Sequence, residues 1–423
     1  MLAPRFHPPG FHGGPVRLAA LTLVVAGLAG CAGKATAQYS DSMRTGPGVA
    51  ADKITVAALT DLTGPYAPLG KGVTQAQRLY FDRFNDAGGA CGRKVELVVR
   101  DHGYDVRKAV TAYTEVAPHS AAIPQIIGSP ITAALRARIE ADRVLTVPQA
   151  WAHTLLGSKY VQIVGTTYDV DMVNGVEFLT KEHGLRAGDR IGHLYLQGDY
   201  GDSAVTGSRW AARQSRLELV EHEVAPTDND MTAAVAAFRR AGVRAVLVSV
   251  GPLQAASLVG ASAAKGLDVP FVASNSAFAE QLLDTPVGPY FEKDFYVLSA
   301  AAPPSAPIEG IRQVARDYRK TYRGQPVDLA VIAGYGAAAT VGEALKKACS
   351  MRDLSREGIV AAHRSNSQFL TGLGGPAQDY SRWTVPAARS AYVLKPDRDE
   401  LGGLKIHRQP VESPLAEKYT PPS

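Results

Sequence analysis

From residue 54 onward, short β-rich runs alternate with amphipathic helical patterns, and this alternation narrows the folds open to the chain more than any other feature. ITVAAL at 54–59, VELVV at 95–99, IPQII at 123–127 and VLTV at 144–147 read as strands. Helical patterns over 76–84, 106–116 and 132–142 separate them. In the first of these, Ala76, Leu79, Tyr80 and Phe84 share one face at i, i+3, i+4 and i+8, and Gly88-Gly89 closes it. Strands joined by helices in this order predict a parallel sheet with right-handed crossovers. The pattern then restarts. Helices are predicted near 172–183, 203–216, 230–242 and 254–265, the third capped by Asp228 or Asp230. Between and after them come IGHLYL at 191–196, AVLVSV at 245–250, PFVAS at 270–274 and FYVLSA at 295–300. Two long helical patterns, 308–322 and 330–348, precede a last strand, SAYVL at 390–394. The expectation is an α/β protein with two doubly wound parallel-sheet lobes and a loose tail at 406–423.

The N-terminal segment is different in kind. Arg5 and Arg17 precede an apolar run that ends at Leu28-Ala29-Gly30-Cys31. A basic region, a short apolar core and a small-residue end make 1–30 a secretory signal. The run is too short to span a bilayer, which takes about 20 apolar residues. Its end resembles the lipobox of bacterial lipoproteins, in which the cysteine is acylated and the chain is cut before it. Cys31 is therefore the expected lipidation site. An ordinary secretion signal with an incidental cysteine is the alternative. Residues 31–52 read as a flexible tether. The expected location is the cell surface, on the outer face of the cytoplasmic membrane, with the lipid as the only membrane contact.

The sequence has 423 residues. About 370 remain without signal and tether, which favours two domains. Hydrophobic residues make up 46% and charged residues 20%, an ordinary globular balance. Net charge is +5, or +3 once Arg5 and Arg17 leave (5 − 2). No basic run or aromatic-basic interleaving supports nucleic-acid binding. Of three cysteines, Cys91 and Cys349 remain beside Cys31. In an exported protein they suggest one disulfide, with two separately buried thiols as the other reading.

Catalytic motifs are missing. There is no H-E-x-x-H, C-x-x-C or G-x-S-x-G. GPYAPLGKG at 64–72 approaches a phosphate loop, but five residues separate Gly64 from Gly70 instead of four, and Gly72 stands where a Ser or Thr would hold magnesium. In EHE at 221–223 a strand would put His222 on the opposite face from the two glutamates, which spoils a metal site. No enzyme activity, cofactor or metal is expected.

LTGPYAPLGKG at 62–72, with NDAGGACGRKVELVVRDHGYDVRKAV at 85–110, resembles the opening of the Leu/Ile/Val-binding (branched-chain amino acid) family of type I periplasmic-binding proteins, the substrate-binding components of ABC importers. The resemblance covers roughly 53–396. It implies a ligand cleft between lobe 1, 53–169 with 300–375, and lobe 2, 170–299 with 376–405, closing about a hinge. It implies capture of a small molecule by a monomer and delivery to a permease and ATPase complex. It also places Cys91 and Cys349 on neighbouring elements of one lobe. Two rivals are a ligand-sensing surface receptor of the same fold and a secreted hydrolase.

The resemblance further assigns ligand contacts. Ser129 opens a helix and would meet a carboxylate with its hydroxyl, backbone N–H groups and helix dipole. Ala150, Trp151 and Ala152 match a contact segment in which Trp151 replaces a small residue; it either walls the pocket or packs as a loop aromatic. Asp171 matches an aspartate at the first crossing, and Tyr200 a tyrosine that closes over the ligand. Two positions depart from the family. Asn275 stands where amino-acid binders carry a carboxylate for the ammonium group, and Gly251-Pro252 where a tyrosine is frequent. A sealed ammonium needs a charge partner. The expected ligand is therefore small, with a carboxylate or amide head and no obligatory ammonium. A branched-chain amino acid would fit only if Asp171 or Asp61 reached it.

Overall fold

The computed structural model of the protein describes residues 43–422. The signal at 1–30, Cys31 and the first part of the tether lie outside the described residues. The chain opens with β1 (Arg44–Thr45), β2 (Lys53–Thr60), α1 (Ala67–Asp86), β3 (Lys94–Asp101), α2 (Val106–Val116), β4 (Ala122–Ile126), α3 (Ser129–Asp142) and β5 (Leu145–Thr146). It continues with α4 (Tyr168–Glu182), β6 (Arg190–Leu196), α5 (Asp199–Ser215), β7 (Glu218–Val224), α6 (Thr232–Ala241) and β8 (Ala245–Ser249). Next come α7 (Pro252–Lys265), β9 (Phe271–Ser274), α8 (Gly288–Asp294), β10 (Phe295–Ser299), α9 (Glu309–Thr321), α10 (Leu329–Ser350), β11 (Asp353–Leu354) and α11 (Arg356–Arg364). β12 (Ala391–Pro396), β13 (Leu404–Val411) and α12 (Pro414–Lys418) complete the chain.

Two sheets organise these elements. The first is parallel, in the order β3-β2-β4-β5. The second runs β13-β12-β10-β9-β8-β6-β7; it is parallel from β10 to β7 and antiparallel at β12 and β13. β4 and β8 are buried along their whole length, as central strands covered by helices on both faces must be. β1 and β11 form a separate parallel pair. The chain passes to the second sheet before β6, returns after β10 to build α10 and α11 against the first sheet with α9 on the helices α1 and α10, and crosses again before β12.

The three passages touch at Gly165. Its N–H donates to Gln378 Oε1 at 2.7 Å, its carbonyl accepts from the Ala388 N–H at 3.1 Å, and a Cβ on it would clash with that of Ala300. Its φ of +92° is a left-handed value that also favours glycine.

α1 and α10 belong to the same layer and pack along each other, and the Tyr318 hydroxyl of α9 donates to Gln75 of α1 across 243 positions. Gly334 of α10 lets the helices close up, since a Cβ there would lie 2.5 Å from the Val73 carbonyl oxygen. Past the end of α1, Cys91 is disulfide-bonded to Cys349 in the last turn of α10, with the Cα atoms 5.7 Å apart.

The tail differs from its expectation. Residues 404–411 form β13 on the sheet edge, and α12 follows. β13 alternates buried or half-buried with exposed residues, and an edge strand tolerates Pro410. Beyond it, the Tyr419 hydroxyl donates to Asp169 Oδ2 at 2.8 Å and Arg389 Nη2 donates to the Tyr419 carbonyl at 2.7 Å. The tail is not loose, because these contacts tie it down.

Candidate ligand-binding site

A cavity of about 1340 Å³, its open mouth included, is lined by residues of both halves. Its first end is built on the start of α3. Gly128 precedes that helix at φ +104°, and a Cβ there would run into the Tyr104 ring at 2.7 Å. The first-turn N–H groups have no helical acceptor, and the helix dipole is positive here. Ser129 is 2% exposed, and its Oγ has no hydrogen-bond partner. The Tyr168 hydroxyl lies near those of Ser129 and Ser276. From the second half, Ser276 Oγ donates to the Tyr200 hydroxyl at 2.9 Å, and Tyr200 also bonds Ser274. The Tyr168 and Tyr200 rings stand 4.3 Å apart, and burial pushes the Tyr200 phenol up to about 12, so it stays protonated. A cluster of neutral hydroxyls beside a helix N-terminus can accept an anion without supplying a formal charge.

The second end is apolar. Leu69 and Val73 of α1 face Leu329, Ile332 and Ala333 of α10, with Leu373 closing the wall. Two acids also line the cavity here. Asp328 caps α10 through its bond from the Val331 N–H at 3.1 Å. Burial first, and then the Glu280 charge, raises Asp328 to about 7. Glu280 is likewise pushed up by burial, and its Oε2 has no partner. Both acids are thus held towards the neutral form.

Of the positions assigned from sequence, Ser129, Trp151, Tyr200 and Asn275 line the cavity. Trp151 is a wall: its Nε1 donates to the Val164 carbonyl at 2.9 Å while its ring meets Tyr168 edge-on at 5.9 Å. Asn275 turns a buried, unpartnered Oδ1 towards the site. Ala150, Ala152 and Asp171 do not line it. The two alanines are fully buried in the core. Asp171 accepts from Thr166 Oγ1 at 2.5 Å, and burial raises it to about 7. Asp61 is also engaged elsewhere, accepting from the Gly64 and Tyr66 N–H groups at 2.6 and 2.8 Å.

Sequence reading did not single out Tyr66, Tyr104 or Tyr168. Tyr66 explains the missing tyrosine at 251. Its hydroxyl reaches over from the first half to within 3.5 Å of where a Gly251 Cβ would stand, so a side chain that extends past Cβ towards it would compete for the same space. The Tyr66 and Tyr104 rings lie 4.8 Å apart. The available signal was aromatic enrichment in the loops GPYAP, HGYD and TTYD, each following or preceding a strand or helix start.

A family model described as periplasmic binding protein matches residues 53–400. The chain belongs to that family. It is 47% identical to a fatty acid ABC transporter substrate-binding protein from Thermomonospora curvata, over 90% of this chain and 98% of that one, with a TM-score of 0.89. A branched-chain amino acid ABC transporter protein from Thermus thermophilus, solved with bound valine, shares the fold at 20% identity and a TM-score of 0.77, over 87% of this chain and 99% of that one. A leucine-binding protein from Thermotoga maritima does so at 17% identity and a TM-score of 0.69, over 84% and 97%. A search of curated proteins finds no match. This protein is a type I substrate-binding protein of an ABC transporter, which binds a small molecule and delivers it to a permease. Proteins of this family act in the periplasm or outside the cell and are not enzymes. Among the described residues, no helix is long and apolar enough to cross a membrane, and no group of three or more His, Cys, Asp or Glu could hold a metal.

Proposed function

We propose that this substrate-binding protein carries a fatty acid, its carboxylate at Ser129 and its hydrocarbon chain between α1 and α10. The observation that carries the reading is the lining and volume of the cavity. One end offers hydroxyls and a helix N-terminus, and most of the rest is apolar side chains of α1 and α10 with Leu373, in a space of about 1340 Å³ with its mouth included. Each methylene buried in such a space contributes about 0.8 kcal/mol. Asn275 carries no charge to meet an ammonium group, and burial raises both lining acids, Glu280 and Asp328, so they repel a carboxylate less. The 47%-identical relative, whose name states fatty acid, supports the same class. The ligand is thus a carboxylate without an ammonium, with a longer apolar body than the small molecule expected from sequence.

Capture proceeds by closure of two lobes, 53–169 with 300–375 and 170–299 with 376–405, about the passages that meet at Gly165. The protein works as a monomer, held by lipid on Cys31 at the cell surface. Calorimetry with dodecanoate, leucine and valine tests the ligand. Dodecanoate binds and the amino acids do not; tight valine or leucine binding with no dodecanoate heat defeats the reading. Cys31→Ala tests the anchor: the protein then leaves the membrane fraction or persists as an uncut precursor.

A further inference from the structure

α10 contains two glycines that do different things. Gly334 permits close helix packing, as its Cβ would press on the Val73 carbonyl. Gly336 has no such constraint. A Cβ there would meet only Leu373 Cδ1 at 3.7 Å and Thr371 Cγ2 at 3.9 Å, ordinary contact distances. Glycine inside a helix is less favourable than alanine, and nothing packed against Gly336 demands it. What Gly336 does is line the cavity. Leu329, Ala330, Ile332, Ala333 and Gly336 fall at i, i+1, i+3, i+4 and i+7, one continuous helical face of the slot. The face runs about 10 Å from the cleft into the first half. One turn beyond Gly336, Thr340 is 1% exposed and bonds the Gly336 carbonyl at 3.0 Å and the Tyr380 hydroxyl at 3.2 Å, which shuts the path. At the other end of the same cavity, Ser129 and Tyr66 are buried, and each has a polar atom without a partner.

We propose that Gly336 and Ala333 are specificity-determining positions: with Leu373 opposite, their small side chains set the longest acyl chain the cavity accepts. The proposal rests on the fatty-acid reading above. The head is fixed at Ser129, so the tail end must fall somewhere along α10. Leucine at Ala333 or Gly336 would occupy the terminal part of the slot and leave the head end unchanged.

The test is a titration series with octanoate, decanoate, dodecanoate, tetradecanoate and hexadecanoate on wild type, Gly336→Ala, Gly336→Leu and Ala333→Leu. Wild-type affinity rises about fourfold per methylene until the slot is full. In the leucine variants the rise stops at a shorter chain. Octanoate binding stays within about twofold of wild type, while the longest chains lose roughly tenfold or more, as two lost methylenes imply. Gly336→Ala, whose Cβ fits, shows a smaller shift in the same direction and guards against misfolding of the leucine form. An equal loss at every length, or an unchanged profile in all three variants, overturns the gauge while fatty-acid binding stands. Absence of wild-type binding to every chain overturns the ligand reading and the gauge together.

Discussion

At Ser129 the cavity meets an unpartnered hydroxyl, the positive end of α3 and two protonated phenols; around Ile332 it meets side chains that also belong to the hydrophobic core. In the first set, Ser129 Oγ has no partner within the protein, whereas Tyr200 is bonded to Ser274 and Ser276. The second holds α1 and α10 together whether or not anything is bound. Residues that serve only a ligand can thus be separated from those that serve ligand and fold alike, and substitution should divide them.

The largest effect is expected at the apolar end. Ile332→Ala removes a side chain that is 1% exposed. It should lower unfolding free energy by about 2–5 kcal/mol, read as a lower urea midpoint, and weaken dodecanoate as well. If affinity drops but the midpoint holds, the shared role is wrong.

Next comes the polar end. Ser129→Ala should cost roughly 1–3 kcal/mol of dodecanoate affinity, because a buried carboxylate oxygen loses a donor. Its urea midpoint should barely move, since the hydroxyl has no partner to lose. A matched drop in stability would show that Ser129 is structural after all.

The last effect is one of pH-dependent stability and concerns an acid at the apolar end. The folded protein holds the Asp328 proton up to about pH 7, whereas the unfolded chain releases it near 4. Between those values the native state binds more protons, so this group's contribution to stability falls as pH rises through the window. Asp328→Asn keeps an acceptor for the Val331 N–H and removes the ionisation. Its melting temperature should exceed that of wild type at pH 8, and the difference should shrink by pH 5. An equal difference at both pH values would exclude ionisation as the cause.

Much of the fold was legible because it is periodic. The helical pattern at 106–116 coincides with α2, and the β-rich run at 245–250 with β8 to within a residue. β13 was not legible, because an edge strand with alternating exposure and a proline has no apolar run to announce it. The site divides the same way. Ser129 is marked by its place at a helix start. Tyr66 filling the space beside Gly251 joins residues 185 positions apart (251 − 66) from opposite halves, and no local pattern encodes that. Ala150 and Ala152 flank Trp151 and yet point into the core, because only one side of that segment faces the cavity.

The Cys91–Cys349 bond spans 258 positions, and the whole second-sheet run from β6 to β10 lies between its ends. A chain that emerges from its N-terminus therefore presents β2 to β5 long before α10 arrives to cover them. Domains that fold as they emerge usually finish in order. Here all of the insert's parallel strands have emerged before the layer that began first can be completed. Residue 349 must emerge before that layer can be locked, so a chain halted anywhere in the insert leaves α1 without α10 and Cys91 without its partner.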